Sequence, residues 1–243
     1  MREQAGPPVD VQVQAAIAAS HLHELPRDVL TQLLAGARRS RVEAGRTLHR
    51  VGDDDRHVEL VVAGLVRAHV TAPDGRTLTV RYCRRGALLG VLSLYAEAYV
   101  MPVTIQVLSA ADLLSIRPTV LRGLADRDVR VARALLHELS ERVMAFVAEI
   151  GGSTFATVRQ RVARHLLDRA AMNHPDGELV AALTQQELAD AVGTVREVVV
   201  RTLRDLRRDH VIETGRHGIR IAAPERLWVE AYPGSGPRWN TSP

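Results

Sequence analysis

The sequence predicts an α+β fold in three stretches: an antiparallel β-barrel or jelly roll, one long helix, and a small helical domain that closes with a hairpin. Three observations carry that prediction. Short runs rich in β-branched residues recur between turn-forming residues from Arg41 to Leu108. An apolar stripe at helical spacing then runs from Asp126 to Ile150. Beyond it, threonine is followed three residues later by glutamine or glutamate at three places, the signature of a helix start.

Composition bounds the function. At 243 residues, with 46% hydrophobic and 25% charged, the chain has the balance of a globular protein and room for two small domains. No apolar run reaches the ~18–20 residues of a membrane helix; the longest, Leu60–Val66, holds Gly64. Met1–Asp10 has two prolines and mixed charge but no apolar stretch, so no secretory signal is expected and the chain is expected in the cytoplasm. Cys83 is the only cysteine, which excludes an internal disulfide, a multi-cysteine zinc site and a four-cysteine iron–sulfur cluster. Among ten histidines, only His21-Leu22-His23 has a short metal-type spacing, and it reads as solvated surface, so no metal site is expected. All 32 cations are arginine, a bias that high-GC coding explains; the net charge of +4 permits an anionic partner without demanding one. Aromatic residues, at 3%, are too few for a single-strand binder built on stacking. No Walker loop, GxSxG, HExxH or dinucleotide fingerprint occurs, and Gly86-Ala87-Leu88-Leu89-Gly90 lacks the following Lys-Ser/Thr, so no catalytic residues are assigned.

The elements follow in order. The first fourteen or so residues read as frayed, and Pro26–Arg39 as a short amphipathic helix on Val29, Leu30, Leu33 and Leu34. Strands are expected at Arg41–Leu48, His57–Val62, Leu65–Thr71, Thr77–Cys83 and Val103–Leu108. Between them lie Ala44-Gly45, Gly52-Asp53-Asp54-Asp55, Pro73-Asp74-Gly75 and Gly86. Pro73-Asp74-Gly75 suits a hairpin tip, because proline presets φ and glycine accepts a positive one. After Pro118 a single helix is expected over Asp126–Ile150. Its stripe of Val131, Leu135, Leu139 and Val143 serves either packing on the chain's own barrel or, the preferred reading, a seam between identical subunits. Gly151-Gly152 ends it as a hinge.

Thr157–Gln160, Thr184–Glu187 and Thr194–Glu197 fit the capping box. The last two open helices at Thr184–Val192 and Thr194–Arg208, joined through Gly193, and Val211–Glu213 pairs with Gly218–Ile221 around Thr214–His217. Two short helices across a glycine turn, followed by a hairpin, make a winged helix-turn-helix. On the second helix, Arg204, Arg207 and Arg208 read as solvated residues paired with Asp205 and Asp209. Arg196, Glu197 and Arg201 lie in its amino-terminal turns, where such a helix meets base edges. Arginine donates two hydrogen bonds to guanine O6 and N7, and glutamate accepts from cytosine N4. A glutamate among arginines suits base reading better than phosphate binding. From Pro224 onward the chain reads as a Pro/Gly tail.

Leu183-Thr184-Gln185-Gln186-Glu187-Leu188-Ala189, Val192-Gly193 and Arg196-Glu197-Val198-Val199-Val200-Arg201 resemble the DNA-binding motif of the Crp/Fnr transcription regulators. Upstream, Val61-Val62-Ala63-Gly64, Pro73-Asp74-Gly75-Arg76 and Gly86–Gly90 are similar to that family's cyclic-nucleotide-binding β-roll. The likeness spans Leu25 to Ile221. It implies a homodimer joined through the long helix that binds duplex DNA at an approximately palindromic operator, with RNA polymerase as a further partner. In the cyclic-AMP receptor branch, the Arg-Glu-x-x-x-Arg arrangement reads a TGTGA-type half-site. Carried over, Arg196 and Arg201 contact guanines and Glu197 a cytosine, with Thr184, Gln185, Gln186, Thr194 and Val195 completing the DNA-facing set. Thr184 and Gln186 would touch phosphate, while Val195 stands where that branch has a serine on phosphate.

The ligand pocket departs from that pattern. Where cyclic-AMP-binding members have glutamate after the second glycine, Gly90 is followed by Val91. Their Arg-Ser pair for the phosphate becomes Met101-Pro102, and their Thr-Ser pair for adenine becomes Phe146-Val147. A buried phosphate without a cationic or hydrogen-bonding partner is strongly disfavoured, so cyclic AMP is not expected to bind. Three alternatives remain open. An apolar effector could sit among Val91, Leu92, Met101, Val103, Phe146 and Val147; those side chains could simply fill space; or Cys83, His57 or His69 could serve a haem or redox sensor. The rival function is accordingly a β-roll sensor acting through a protein partner. The expected organisation is a β-roll domain over 1–118, a dimerisation helix and hinge over 119–152, a DNA-binding domain over 153–223, and a tail over 224–243.

Overall fold

The computed structural model describes residues 10–71, 77–152, 156–171, 178–215 and 218–233, which fall into two units dividing between Phe146 and Val147. In the first unit, Asp10 Oδ1 accepts from the Val13 amide at 2.9 Å and opens helix α1 (Val11–Ala18), which buries Val13, Ala16 and Ile17. A helix thus starts within the stretch expected to be frayed, because a capping carboxylate precedes apolar residues four apart. A 3₁₀ turn at His21–Glu24 follows. His21 there is 5% exposed and belongs to the interior, which corrects its reading as solvated surface. Helix α2 (Arg27–Leu34) buries Val29, Leu33 and Leu34 and ends before Gly36 at φ +74°. It stops short of Arg39, whose segment is strand β1 (Arg38–Val42).

The sheet is antiparallel in the order β1-β6-β3-β4. Strands β2 (Thr47–His49) and β5 (Leu88–Leu89) pair with β6 (Thr104–Ile116) and β3 (Val58–Thr71), respectively, and β4 is Thr77–Cys83. The expected Arg41–Leu48 strand is therefore two strands around Ala44-Gly45, and β6 runs eight residues beyond the expected end at Leu108. The two strands expected either side of Gly64 are one. Gly64, at φ +89°, sits among register shifts, and a Cβ there would lie 2.6 Å from Ala110 O, so only glycine lets β3 continue. These shifts reverse the facing of side chains along β3. Leu60 and Val62 enter the core shared with the helices, whereas Val61 and Val66, of opposite parity, both enter the roll interior with Cys83, Met101, Val107 and Leu113. Thr71 is opposite Thr77, while the Pro73-Asp74-Gly75 tip lies outside the described residues.

The long helix starts later than its stripe suggests. Helix α3 (Pro118–Ala125) is separate, and α4 (Val129–Gly152) begins where the Asp128 carboxylate accepts from the Arg130 amide at 2.9 Å. Hydrogen bonds from the Arg130 side chain and amide hold that carboxyl down to about 2. The stripe itself splits. Val131 and Leu135 are buried in the core of their own unit, while Val143 is 61% exposed.

In the second unit, the first capping box is made: Thr157 N donates to Gln160 Oε1 at 2.7 Å and Gln160 N to Thr157 Oγ1 at 3.3 Å, opening helix α5 (Val158–Ala171). Helices α6 (Gln185–Val192) and α7 (Arg196–Arg208) follow. Strands β7 (Val180–Ala181), β8 (Ile212–Gly215) and β9 (Gly218–Ile221) form a small antiparallel sheet in the order β7-β9-β8, adding one strand to the expected hairpin. Pro224–Ala231 is helix α8, which corrects the reading of a tail from Pro224. It packs on α5 and buries Leu227, Trp228 and Ala231, so the unit extends past residue 223. The proline that suggested a tail stands at the helix start, where its missing N–H costs nothing.

Candidate nucleic-acid interface

Helix α6 starts from a complete capping box: Thr184 N donates to Glu187 Oε2 at 2.6 Å and Glu187 N to Thr184 Oγ1 at 3.1 Å. The Thr184 amide is the main reason the Glu187 carboxyl lies below its ordinary value. The helix ends at Gly193, at φ +66° and ψ 54°, where Thr194 N returns to Ala189 O at 3.0 Å. That left-handed residue turns the chain sharply into α7. The third expected box is not formed. Val195, without a side-chain bond, caps α7, which starts at Arg196. The physical consequence is that Glu197, freed from capping, lies exposed in the first turn.

Helix α7 buries Val199, Thr202, Leu203 and Leu206 on one side. Its other side carries Arg196, Glu197, Val200, Arg201 and Arg204 around a shallow, open concavity. Arg207 Nη1 donates to Thr214 Oγ1 of β8 at 3.0 Å, and Arg208 lies 3.3 Å from Asp205 and 3.8 Å from Asp209. Among the described residues, the side chains of Arg196, Glu197, Arg201 and Arg204 have no hydrogen bond or ion pair. Arg204 was expected to pair like Arg207 and Arg208. It stands instead with the free set, as its spacing of three from Arg201 and seven from Glu197 could have shown. Of the remaining predicted residues, Thr184 and Gln186 are exposed at the start of α6, Gln186 Nε2 donating to Asp190 Oδ1 at 2.9 Å, while Gln185 is half-buried. Thr194 is half-buried and Val195 exposed at the turn. Arginine side chains with unspent donors beside one free acceptor can hydrogen-bond base edges and phosphates at once.

The expected effector residues are not gathered. Val91 is buried in the helix-facing core, Met101 and Val103 belong to the roll interior, and Leu92 is 55% exposed. The reason is a 3₁₀ turn at Val91–Leu94, in which neighbouring side chains diverge by about a third of a circle. Gly90 opens that turn, Pro102 is exposed, and Phe146 is 56% exposed; the Val147 side chain lies outside the described residues. Buried charged groups of the first unit, on α4 and in the roll, bond within the chain itself. The buried Glu138 receives Arg142 at 2.8 Å and Arg81 at 3.4 Å, and Arg67 donates to Thr79 Oγ1 at 2.7 Å. Cys83 is buried and free, and it joins no group of metal-donor side chains among the described residues. His69 is held below the ordinary histidine value by burial and by Arg67.

Residues 160–229 match the family model of a Crp-like helix-turn-helix domain, and residues 39–128 that of a cyclic nucleotide-binding domain. The transcriptional regulator LdrP of Thermus thermophilus is 30% identical over 171 residues, 69% of this chain and 84% of that protein. The chain belongs to the Crp/Fnr family of transcription regulators. Within that family, the cAMP-activated global transcriptional regulator Vfr of Pseudomonas aeruginosa is 28% identical over 203 residues, covering 81% and 94% of the two chains. Among solved structures, the c-di-GMP-responsive global regulator CLP of Xanthomonas campestris aligns with a TM-score of 0.52 at 25% identity, covering 81% of this chain and 99% of that one. As a Crp/Fnr member the chain is a DNA-binding transcription regulator, and its winged unit is the DNA-binding part. No helix among the described residues is long and apolar enough to cross a membrane.

Proposed function

We propose that this regulator works as a homodimer that reads an approximately palindromic, TGTGA-like operator and does so without cyclic AMP. The observation that carries the reading is the exposed face of α7, where Arg196, Glu197 and Arg201 keep their hydrogen-bonding capacity unspent. In the proposed complex Arg196 and Arg201 each grip a guanine, Glu197 accepts from a cytosine, and Thr184 and Gln186 meet phosphates. The expected operator places half-sites one helical turn apart, ~34 Å, so two copies of α7 enter successive major grooves.

The dimer is supported by α4. Val129, Leu136 and Val143 are 68%, 61% and 61% exposed and stand seven residues apart, with Met144 and Phe146 exposed beside the last. A heptad row left in water is the seam of a two-helix coiled coil. Independence from cyclic AMP is supported by Val91 and Met101, 2% and 3% exposed within apolar clusters, where the cyclic-AMP-binding pattern has a glutamate and an arginine. The named relatives respond to cyclic AMP in one case and c-di-GMP in another, so the β-roll itself does not dictate the effector.

The test is a titration of the purified protein into a fluorescent palindromic TGTGA-type duplex and a scrambled one, at fixed salt and without nucleotide. Preference for the palindrome is expected, together with a dimer mass in sedimentation that Leu136→Asp reduces to a monomer. Equal binding to both duplexes would count against the half-site assignment. Discrimination that appears only on adding cyclic AMP would overturn the independence from that nucleotide.

A further inference from the structure

Two groups of metal-donor side chains stand among the described residues. In one, Glu24 and His137 are 40% and 48% exposed and pair at 3.5 Å, while His21 pairs with Glu141 at 3.1 Å, so ordinary ion pairing accounts for it. The other is enclosed. His49 ends β2, His57 immediately precedes β3, and Glu59 is the second residue of that strand. His49 pairs opposite Ile105 near the start of β6 and Glu59 opposite Ser115 near its end, yet the side chains meet, one donor atom of each lying within 4.8 Å of the others. The two imidazoles stack with centroids 3.5 Å apart at 9°.

His49 Nε2 lies 3.0 Å from Glu59 Oε2, an ordinary pair, and Ser115 Oγ reaches the other carboxylate oxygen at 3.5 Å. His57 is what that pairing leaves unexplained. Its Nδ1 is 3.2 Å from the Asp55 carbonyl, an acceptor that requires Nδ1 to carry the hydrogen. Nε2 therefore presents its lone pair, and that atom is buried without a hydrogen-bond partner. A buried acceptor left unmatched is unfavourable and calls for an occupant. Alongside, Asp53, Asp54 and Asp55 form an exposed acidic loop that concentrates cations.

We propose that His49, His57 and Glu59 form a binding site for a borderline divalent cation of the zinc class, with the fourth position open to water. Two imidazole nitrogens and one carboxylate suit such an ion, whereas magnesium and calcium take all-oxygen sets. Bonds of roughly 2.0–2.1 Å in a tetrahedron put donors about 3.4 Å apart, so binding opens the 3.0 Å His49–Glu59 pair slightly, fits His57 to the same spacing and turns the rings out of their stack. The His57 carbonyl accepts from Ser93 Oγ at 3.2 Å, and a Cβ at Gly90 would lie 2.0 Å from it. The site is thus wedged against the 3₁₀ turn at Val91–Leu94, where an occupied ion would stiffen the roll. The inference does not depend on how the protein reads DNA.

The test uses the full chain, stripped with chelator, and Zn²⁺ in competition with a chromophoric indicator, followed by Co²⁺ absorption. Expected are about one tight Zn²⁺ per chain and a four-coordinate Co²⁺ spectrum without the thiolate band that Cys83 would give. His57→Gln and His49→Gln should each weaken binding at least tenfold, roughly the lower bound for disturbing a metal site, while His137→Gln leaves it unchanged. His57→Gln decides the matter if His49→Gln lowers the melting temperature, because Nε2 of His57 holds nothing in the fold. Absence of Zn²⁺ binding, binding indifferent to His57→Gln, or binding lost in His137→Gln would overturn the proposal.

Discussion

Helices α5 and α7 belong to the same unit, are both rich in arginine, and use it in opposite ways. On α5, Arg159 grips Glu230 through Nε at 2.7 Å and Nη2 at 2.9 Å and reaches Asp209 at 3.2 Å. Arg161 Nε donates to Val192 O at 2.8 Å, and Arg164 donates to Ala231 O at 3.0 Å while lying 4.6 Å from the centroid of the Tyr232 ring. Each of these side chains fastens α5 to α6 or to the α8 segment. On α7, Arg196, Arg201 and Arg204 fasten nothing. The first unit follows the habit of α5, with Arg81 of β4 and Arg142 of α4 converging on Glu138. An arginine whose donors are spent inside the fold is a structural clamp; one whose five donors face water is available to an anion or a base edge. The difference is invisible in a composition where every cation is arginine.

The comparison breaks most sharply on the free set. Replacing Arg196 and Arg201 together by alanine is expected to reduce operator affinity by about 2–6 kcal/mol, the sum of two bidentate base contacts at ~1–3 kcal/mol each. Melting temperature and dimer mass should not change, because neither side chain touches its own fold. Anisotropy with palindromic and scrambled duplexes at fixed salt checks it. If both duplexes lost affinity equally, the arginines would be phosphate contacts, each lowering the salt slope by about one. Glu197→Gln is expected to act more narrowly, costing about 1–3 kcal/mol of discrimination at one base pair. Loss of a negative charge should at the same time raise affinity for scrambled DNA. A panel of single-base operator variants reads this directly, and uniform weakening across the panel would refute a base contact by Glu197.

Much of this was open to reading in the sequence, and the failures have physical causes. Thr157 and Thr184 announced their helices because each capping box is a local exchange of two hydrogen bonds. Thr194 matched the same pattern, yet the left-handed Gly193 fixes the turn so that Val195 becomes the cap. Strand β4 was found at its observed bounds, Thr77–Cys83, from its alternation and β-branched content. Strand β5 escapes sequence reading because two residues hold no period, and α8 because the Pro/Gly content from Pro224 onward reads as a tail although Pro224 stands at a helix start. The free face of α7 was legible except for Arg204, since pairing with nearby aspartates depends on side-chain direction. The divergence of Val91 and Leu92 was not legible, because it depends on a 3₁₀ turn that sends the first inward and the second outward. The grouping of His49, His57 and Glu59 was beyond sequence reading: the histidines are eight apart, and His49 and Glu59 pair with opposite ends of β6, so only the three-dimensional course of the roll joins them.

Arg159 gives the smaller and complementary test of the clamp. Its side chain and that of Glu230 are each about a third exposed, so Arg159→Met, which keeps the stem, is expected to lower stability by only about 1 kcal/mol despite the two-pronged contact. Operator discrimination at neutral pH should stay as it is, measured below the variant's melting temperature. The charge part of the loss has a pH signature. The hydrogen bond from Arg159 holds the Glu230 carboxyl below its ordinary value of 4.5. A carboxyl whose pKa is depressed by folding stabilises fully above that ordinary value, and its contribution is lost as pH falls through the depressed one. The gap between parent and Arg159→Met melting curves should therefore be constant near neutrality and close as the medium is acidified below 4.5. A gap that persisted at about pH 3 would assign the loss to packing rather than to the ion pair. Loss of operator discrimination at an unchanged melting temperature would dissolve the division between α5 and α7, since it would place a clamp residue at the DNA.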